Sequence, residues 1–366
     1  MSTGSNFGKL FSISTWGESH GEGVGVVIDG CPSGIDLNEE IIQIDLDKRK
    51  PGKSIFSTPR KEKDKVKIMS GVFNGKTTGT PISLIVHNVN HISKDYSKIA
   101  NYYRPGHADL TYDLKYGFRD YRGGGRSSGR ETIGRVAAGA VAKKILKELN
   151  IKLTTFTKSI GNISINPDNF DKHEIWNNNL CLPDKTCVQK TEDYILELIN
   201  QGDSCGGIIE CQVDCIPPGI GEPVFDRLDA ELSKAIMSIG SVKGVEIGNG
   251  FMTTSLTGSE NNDFYRCSGN KIIKESNNAG GILGGISDGS KVVIRAAIKP
   301  TPSIKKTQKT VTKDNDNIDI NIIGRHDPII VPRAVIVVES MVAITLVDML
   351  FRNITSQMNN IKKIYL

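Results

Sequence analysis

Tyr116 to Glu131 (YGFRDYRGGGRSSGRE) gathers side chains suited to one kind of chemistry. Arg119, Arg122, Arg126 and Arg130 are interleaved with three successive glycines, Gly123 to Gly125, and two serines, Ser127 and Ser128. Guanidinium forks match the paired oxygens of phosphate and carboxylate. A glycine turn lets backbone approach a ligand closely. A helix starting behind the turn aims unpaired N–H groups and a positive dipole end at the same place. The stretch suits a multiply charged anion.

Two histidine motifs supply proton chemistry. Gly17 to Gly21 (GESHG) fits the G-x-S-x-G elbow of serine hydrolases, which needs a strand before it and a helix after it. Here a strand-like run, Val24 to Asp29, follows, so the hydrolase context fails and Ser19 with His20 reads as a proton donor on a tight turn. His107, in RPGHAD, has Arg104 and Asp109 for company, and a nearby carboxylate holds a histidine protonated or oriented. His326 stands between Arg325 and Asp327, while His87, His91 and His173 lack such neighbours and read as surface residues. RGGGRSSG is a single copy of an RNA-binding type of segment, and it lacks the Lys-Ser/Thr ending of a P-loop. Lys299-Pro300-Thr301-Pro302-Ser303 ends a strand-like run and can offer N–H and hydroxyl groups to a phosphate.

These residues need elements to hold them. Asn38 to Lys48 has helical spacing with Asn38 as N-cap. Thr132 to Leu149 is the clearest amphipathic helix, with Ser128 and Glu131 at capping-box spacing and small residues for close packing. Pro332 to Phe351 is apolar on nearly every face and is expected to be buried at a core or subunit interface. Asn162 to Glu192 and the polar, low-complexity Lys305 to Asp319 read as irregular loops, the latter mobile. The 366 residues are 38% apolar and 24% charged, a globular balance. A net charge of +5, from 46 basic and 41 acidic residues, is too even for a generic nucleic-acid or membrane-surface binder. The seven cysteines are odd in number without a C-x-x-C pair, so free thiols in a reducing cytoplasm are expected. No metal site is expected, since Cys211 and Cys215 have no histidine near them in sequence. No secretory signal pattern is read at the start of the chain, and no apolar run is expected to reach bilayer length.

The chain also echoes itself. GESHG at Gly17 falls on GDSCG at Gly202, a displacement of 185 residues that also lays Pro32-Ser33-Gly34-Ile35 on Pro217-Pro218-Gly219-Ile220. Gly75 and Gly79 fall on Gly285 and Gly289, displaced by 210. Two similar αβ halves, about 8–155 and 195–355, are the reading, with His20 replaced by Cys205 in the second.

GESHG, then RPGHADLTYDLKYGFRDYRGGGRSSGRET, then GRHDPIIVPRAV, with NNAGGILGGISDG and KPTPS between, resemble the signatures of the chorismate synthase family along essentially the whole chain. The resemblance implies an α+β fold, a helical core sandwiched between antiparallel β-sheets with an internal pseudo-twofold repeat, forming a single domain over 1–366 and a cytoplasmic homotetramer. It implies a carbon–oxygen lyase that eliminates phosphate from 5-enolpyruvylshikimate 3-phosphate with reduced FMN, and NADPH only if the enzyme reduces its own flavin. His20 would protonate the leaving phosphate, His107 would lie near the flavin, and Ser19, Ser128 and Asp327 match a proton relay. Arg49, Arg104, Arg130 and Arg333 would bind the substrate. Arg126, Ser127, Ser128, Gly240, Ser241, Gly284, Lys299 to Ser303 and Arg325 would contact FMN. Ser128 cannot fully serve as both helix cap and relay. Departures are Gly129 for the usual Ala, Gly240-Ser241 for Asn-Ala, and Ile55 where a basic residue is common, which makes Lys53 or Arg60 substitutes.

Overall fold

The computed structural model describes residues 4–52, 56, 63–88, 100–269, 271–322 and 327–366. Arg325, His326, His91, Lys53, Ile55 and Arg60 lie outside the described residues.

Two five-stranded antiparallel sheets carry the fold. The first contains β1 (Asn6–Phe7), β2 (Ser12–Gly17), β3 (Gly23–Asp29), β4 (Val66–Ser70) and β5 (Ile82–His87), in the order β1-β2-β3-β5-β4. The second contains β6 (Lys152–Ile160), β7 (Ile163–Ser164), β8 (Gly207–Asp214), β9 (Val242–Ile247) and β10 (Val292–Ile298), in the order β9-β10-β8-β6-β7. β5 and β10 alternate buried apolar residues (Ile82, Leu84, Val86; Val292, Ile294, Ala296, Ile298) with partly exposed ones, the two-residue period of a strand with one covered face.

The helices supply the cover. They are α1 (Glu39–Arg49), α2 (Asp109–Tyr116), α3 (Thr132–Glu148), α4 (Val188–Asn200), α5 (Leu228–Met237) and α6 (Val331–Asn353), with a short terminal helix at Met358–Tyr365. The expected cap of α1 is present: Asn38 Oδ1 accepts from Ile41 N at 2.9 Å, ahead of two glutamates in the first turn. α3 packs on β2, β3 and β5, α6 packs on β6 and β8, and the two helices pack on each other. Small residues set that spacing. A Cβ on Gly139 of α3 would lie 2.3 Å from Ser340 Cβ of α6, and one on Gly134 would lie 3.0 Å from Gly25 O.

α6 is buried along most of its length, as its apolar composition predicts. The expectation that no apolar run reaches bilayer length is corrected. Val331–Ser356 is long and apolar enough by length and composition to cross a membrane, and 89% of its most apolar window is buried against the protein. Asp348, near its end, accepts from the backbone N–H groups of Lys9, Leu10 and Phe11 at 2.9, 2.6 and 3.1 Å and so fastens the N-terminal segment.

The strands β2, β3, β4, β5 and β6, β8, β9, β10 follow the same plan. In each set the second strand leads through a turn and a helix to the third, a two-stranded hairpin precedes the fourth, and the fourth pairs between second and third. One turn is repeated bond for bond. Thr77 Oγ1 donates to Pro32 O and accepts from Ile35 N, while Gly34 N donates to Thr77 O and Thr77 N to Ile35 O. Ser287 Oγ donates to Pro217 O and accepts from Ile220 N, while Gly219 N donates to Ser287 O and Ser287 N to Ile220 O. The displacements are 185 and 210 residues, those read in the sequence.

Lys305 to Asp319 differs from its expected loop. Gln308–Val311 and Asn317–Ile320 pair as a hairpin that bonds to residues 101–103: Tyr103 N donates to Val311 O at 3.2 Å and Lys313 N to Asn101 O at 2.9 Å. Polar composition hid the strands because their partner is another surface segment, not a core.

A buried ion triad joins three helices. Lys143 Nζ of α3 lies 2.7 Å from Asp45 Oδ2 of α1 and 2.6 Å from Glu339 Oε1 of α6. Burial opposes its charge, but Glu339 and Asp45 outweigh that and raise its pKa. Lys143→Met leaves Glu339 buried without its cation and Asp45 with only Lys48, 3.4 Å away. It should cost about 3–5 kcal/mol of stability, read as a lowered thermal unfolding midpoint.

Candidate active site

Local sequence first builds the turn before α3. Gly125–Ser127 and Gly129–Glu131 form short 3-10 turns, and Ser128, extended between them (φ −70°, ψ 144°), accepts from Arg130 N at 3.2 Å. The predicted capping box is not formed. Glu131 instead takes Arg135 Nε on both oxygens at 3.0 Å, and Arg135 reaches on to Ser238 Oγ at 2.6 Å and Ser238 O at 3.1 Å. The start of α3 is thereby tied to the end of α5, beside Gly240 and Ser241.

The glycines seat the histidine turn. Ser19 is buried, and its Oγ lies 3.1 Å from Nδ1 of the half-buried His20. A Cβ on Gly123 would stand 2.1 Å from His20 Nδ1 and 2.9 Å from Ser19 Oγ. Only a glycine leaves room for this contact. Asn88, at the end of β5, donates from Nδ2 to Glu18 O (2.9 Å) and Gly21 O (2.8 Å), and its Oδ1 accepts from Arg130 Nε.

Around Arg130 a charge cluster forms. Asp64, whose carboxylate is fully buried, receives Arg49 Nη1 on one oxygen and faces Arg130 Nη1 with the other, each at 3.0 Å. Arg49 is 2% exposed and also donates to Thr132 Oγ1 (3.1 Å) and Gly129 O (3.3 Å). Arg333 donates to Arg49 O at 3.1 Å and pairs with Asp327. Of the four arginines expected at a substrate, Arg130 and Arg333 are the ones with partly exposed side chains, 10% and 23%. Arg104 is 8% exposed and locked in a fork on Asp109, both bonds 2.8 Å, with Arg119 behind it at 3.3 Å.

A second group surrounds His107. Its Nε2 lies 2.9 Å from Ser303 Oγ and its Nδ1 3.0 Å from Pro105 O. Lys299 Nζ donates to Gly106 O at 2.7 Å, Pro302 packs against Gly106, and Lys299 N donates to Ser241 O at 2.9 Å. The KPTPS strip, the 240–241 turn and the His107 loop thus adjoin, though they are far apart in sequence. Burial and the nearby Lys243 charge lower the Lys299 pKa. Thr301 Oγ1 is buried and among the described residues finds no hydrogen-bond partner. An orphaned hydroxyl two positions from Lys299 and from Ser303 in the chain is the kind of group that a ligand phosphate would satisfy.

Three further expected flavin contacts have partners of their own. Ser127 Oγ turns back to Gly124 O at 2.7 Å. Arg126 donates to Gly17 O and Thr15 O, each at 3.1 Å, and to Thr15 Oγ1 at 2.6 Å, so its guanidinium grips β2. Gly284, in the tight turn of the Ile282–Ser287 hairpin, lies by the start of α5, where Leu228 N bonds Gly285 O. Ser241 lies past the other end of that ten-residue helix, about 15 Å along its axis. Sequence reasoning missed Asp64 and Asn88, which carry no motif, and their signal exists only as contacts.

A chorismate synthase family model matches residues 11–351. The chain belongs to the chorismate synthase family. It is similar to the chorismate synthase of Lachnoclostridium phytofermentans, 62% identical over 364 residues and 99% of both chains. It is also similar to the chorismate synthase of Methanococcus maripaludis, 53% identical over 94% of this chain and 96% of that one. A solved structure titled as a chorismate synthase crystal structure superposes with a TM-score of 0.77 at 33% identity, covering 97% of this chain and 96% of the other. The chorismate synthase family assignment accords with a mixed α+β fold.

Two outcomes test this site. Gly123→Ala should push the His20 ring aside and lower turnover on the order of 10²-fold while the fold, read by circular dichroism, stays unchanged. Burial opposes ionisation of Asp109, but the Arg104 bonds and the Arg119 charge outweigh it and hold the carboxyl below its ordinary 3.8. A carboxyl lowered in the fold stabilises at any pH above its unfolded value and loses that contribution as pH falls through the folded one. Acid titration should therefore loosen the His107 loop only below pH 3.8, and Asp109→Asn should remove that step in hydrogen exchange of residues 102–109.

Proposed function

We propose that this chain is a carbon–oxygen lyase that eliminates phosphate from 5-enolpyruvylshikimate 3-phosphate to give chorismate, in aromatic amino acid biosynthesis. The observation that carries the reading is the family's histidine turn seated on Gly123 and braced to a partly exposed Arg130. The reaction asks for anion binding, a proton or hydrogen bond for departing phosphate, and a dry, ordered setting.

The chain supplies each. Arg130 and Arg333 bind the substrate's phosphate and carboxylates. Arg49 and Arg104 serve from behind, the first by gripping Asp64 and the start of α3, the second by shaping the His107 loop. His20 gives a proton or hydrogen bond to the phosphate oxygen as it leaves, and Ser19 Oγ fixes the ring through Nδ1. Asp327, beside Arg333, and Ser128 are placed to move a proton, with Ser128 doing so only while its oxygen also caps Arg130 N.

Lys299 to Ser303, Gly240, Ser241 and His107 would hold FMN, its phosphate toward Lys299 and Thr301, with Arg126, Ser127, Ser128, Gly284 and Arg325 the further contacts the family implies. Reduced FMN, when bound, supplies an electron-rich partner for a reaction without net redox change. NADPH serves only if the chain reduces its own flavin. The assembly is a cytoplasmic homotetramer that engages neither nucleic acid nor membrane.

The same reading takes residues 1–366 as one domain of two duplicated halves, about 8–155 and 195–355, related by a pseudo-twofold axis, with helices sandwiched between the sheets. The repeated strand order and the shared Thr77 and Ser287 bonds support it.

Purified protein should form chorismate with reduced FMN and none with oxidised FMN; product in flavin-free buffer would overturn the reading. His20→Ala should lower kcat by about 10²-fold or more with the flavin dissociation constant unchanged.

A further inference from the structure

We infer that Asn88 is a positioning residue that fixes the His20 turn to Arg130, so that proton donor and anion-binding arginine keep one geometry. The inference rests on the roles proposed above for those two residues and adds the part that couples them.

Asn88 directly follows β5, where the chain leaves the sheet beside the turn. Its backbone N–H donates to Glu22 O at 2.9 Å. Its side-chain amide donates to Glu18 O and Gly21 O, the carbonyls that bracket Ser19 and His20. Its one oxygen accepts from Arg130 Nε. Two carbonyls require donors and a guanidinium requires an acceptor, which fixes the amide's orientation. No other side chain of this length offers two donors and an acceptor on one plane. Aspartate keeps the acceptor but sets a carboxylate against two carbonyls, and alanine loses all three bonds. Arg130 is braced from its other side by Asp64. The turn is braced on its far side by Gly123. Asn88 therefore joins the two supports through its own side chain, and a shift of Arg130 on binding an anion is transmitted through it to the turn.

The test is a double-mutant cycle of Asn88→Ala with His20→Ala, measured as kcat/KM with reduced FMN. Asn88→Ala alone should lower kcat/KM on the order of 10- to 100-fold, with unchanged flavin affinity. In the His20→Ala background it should cost less than about threefold. Wild-type turnover for Asn88→Ala, or an equal loss in both backgrounds, overturns the inference. An unchanged turnover for His20→Ala sinks the proton-donor reading instead. The coupling is then judged by an NMR titration of the His20 ring, which should differ between wild type and Asn88→Ala; identical curves overturn it. Asn88→Asp is the second variant should the alanine form not fold, and it should lose activity similarly although it keeps the acceptor for Arg130. Full activity of that variant also overturns the inference.

Discussion

A guanidinium taken out of water needs a carboxylate within hydrogen-bonding reach, and that constraint organises this protein. Asp64, fully buried and held in a left-handed backbone conformation (φ 42°), sits between Arg49 and Arg130. From those contacts follow the placement of α1 against the start of α3, the anchoring of the glycine turn, and the direction of Arg130 toward the histidine turn. Arg104 with Asp109 and Arg333 with Asp327 repeat the solution at the two neighbouring loops. A site meant to receive a multiply charged anion must otherwise hold several cations close together. Carboxylates placed behind them offset that repulsion and leave only some of the charge facing outward.

The scaffold beneath is two sheets of the same strand order on a pair of long helices. The repeated strand order carries a repeated turn, but the residues at the corresponding positions differ. Where the first has His20 against Gly123, the second has Cys205, whose thiol is buried and pushed up to about 11. A thiol so protonated has little nucleophilic or acidic use near neutral pH. The KPTPS strip after β10 instead meets the His107 loop through the Ser303 hydroxyl and the Lys299 ammonium.

The glycines illustrate how packing and chemistry share one requirement. Gly139 lets α6 approach α3, and Gly123 lets His20 approach the turn. In both cases a Cβ would occupy space already filled by a partner more than 100 positions away in the chain.

By itself the sequence determined an anion-binding run and two histidine motifs, since each is contiguous and its chemistry is local, while the reaction class came with their resemblance to a family. It also determined the Asn38 cap, the burial of α6 and the displacements of 185 and 210, because helix caps, apolar faces and internal copies are written in short spacings. Only the tertiary structure decided which arginines keep partly exposed side chains and which are buried in holding the fold. It also decided that Glu131 serves Arg135 and not a capping box, that residues 308–320 pair as a hairpin, and that Asn88 and Asp64 matter at all. The physical reason is reach. Asn88 and Arg130 are 42 residues apart, and Arg333 and Arg49 are 284 apart. Nothing in the local sequence of Asn88 or Asp64 distinguishes them from ordinary surface polar residues until the chain closes and burial forces each charge and amide to find its partner.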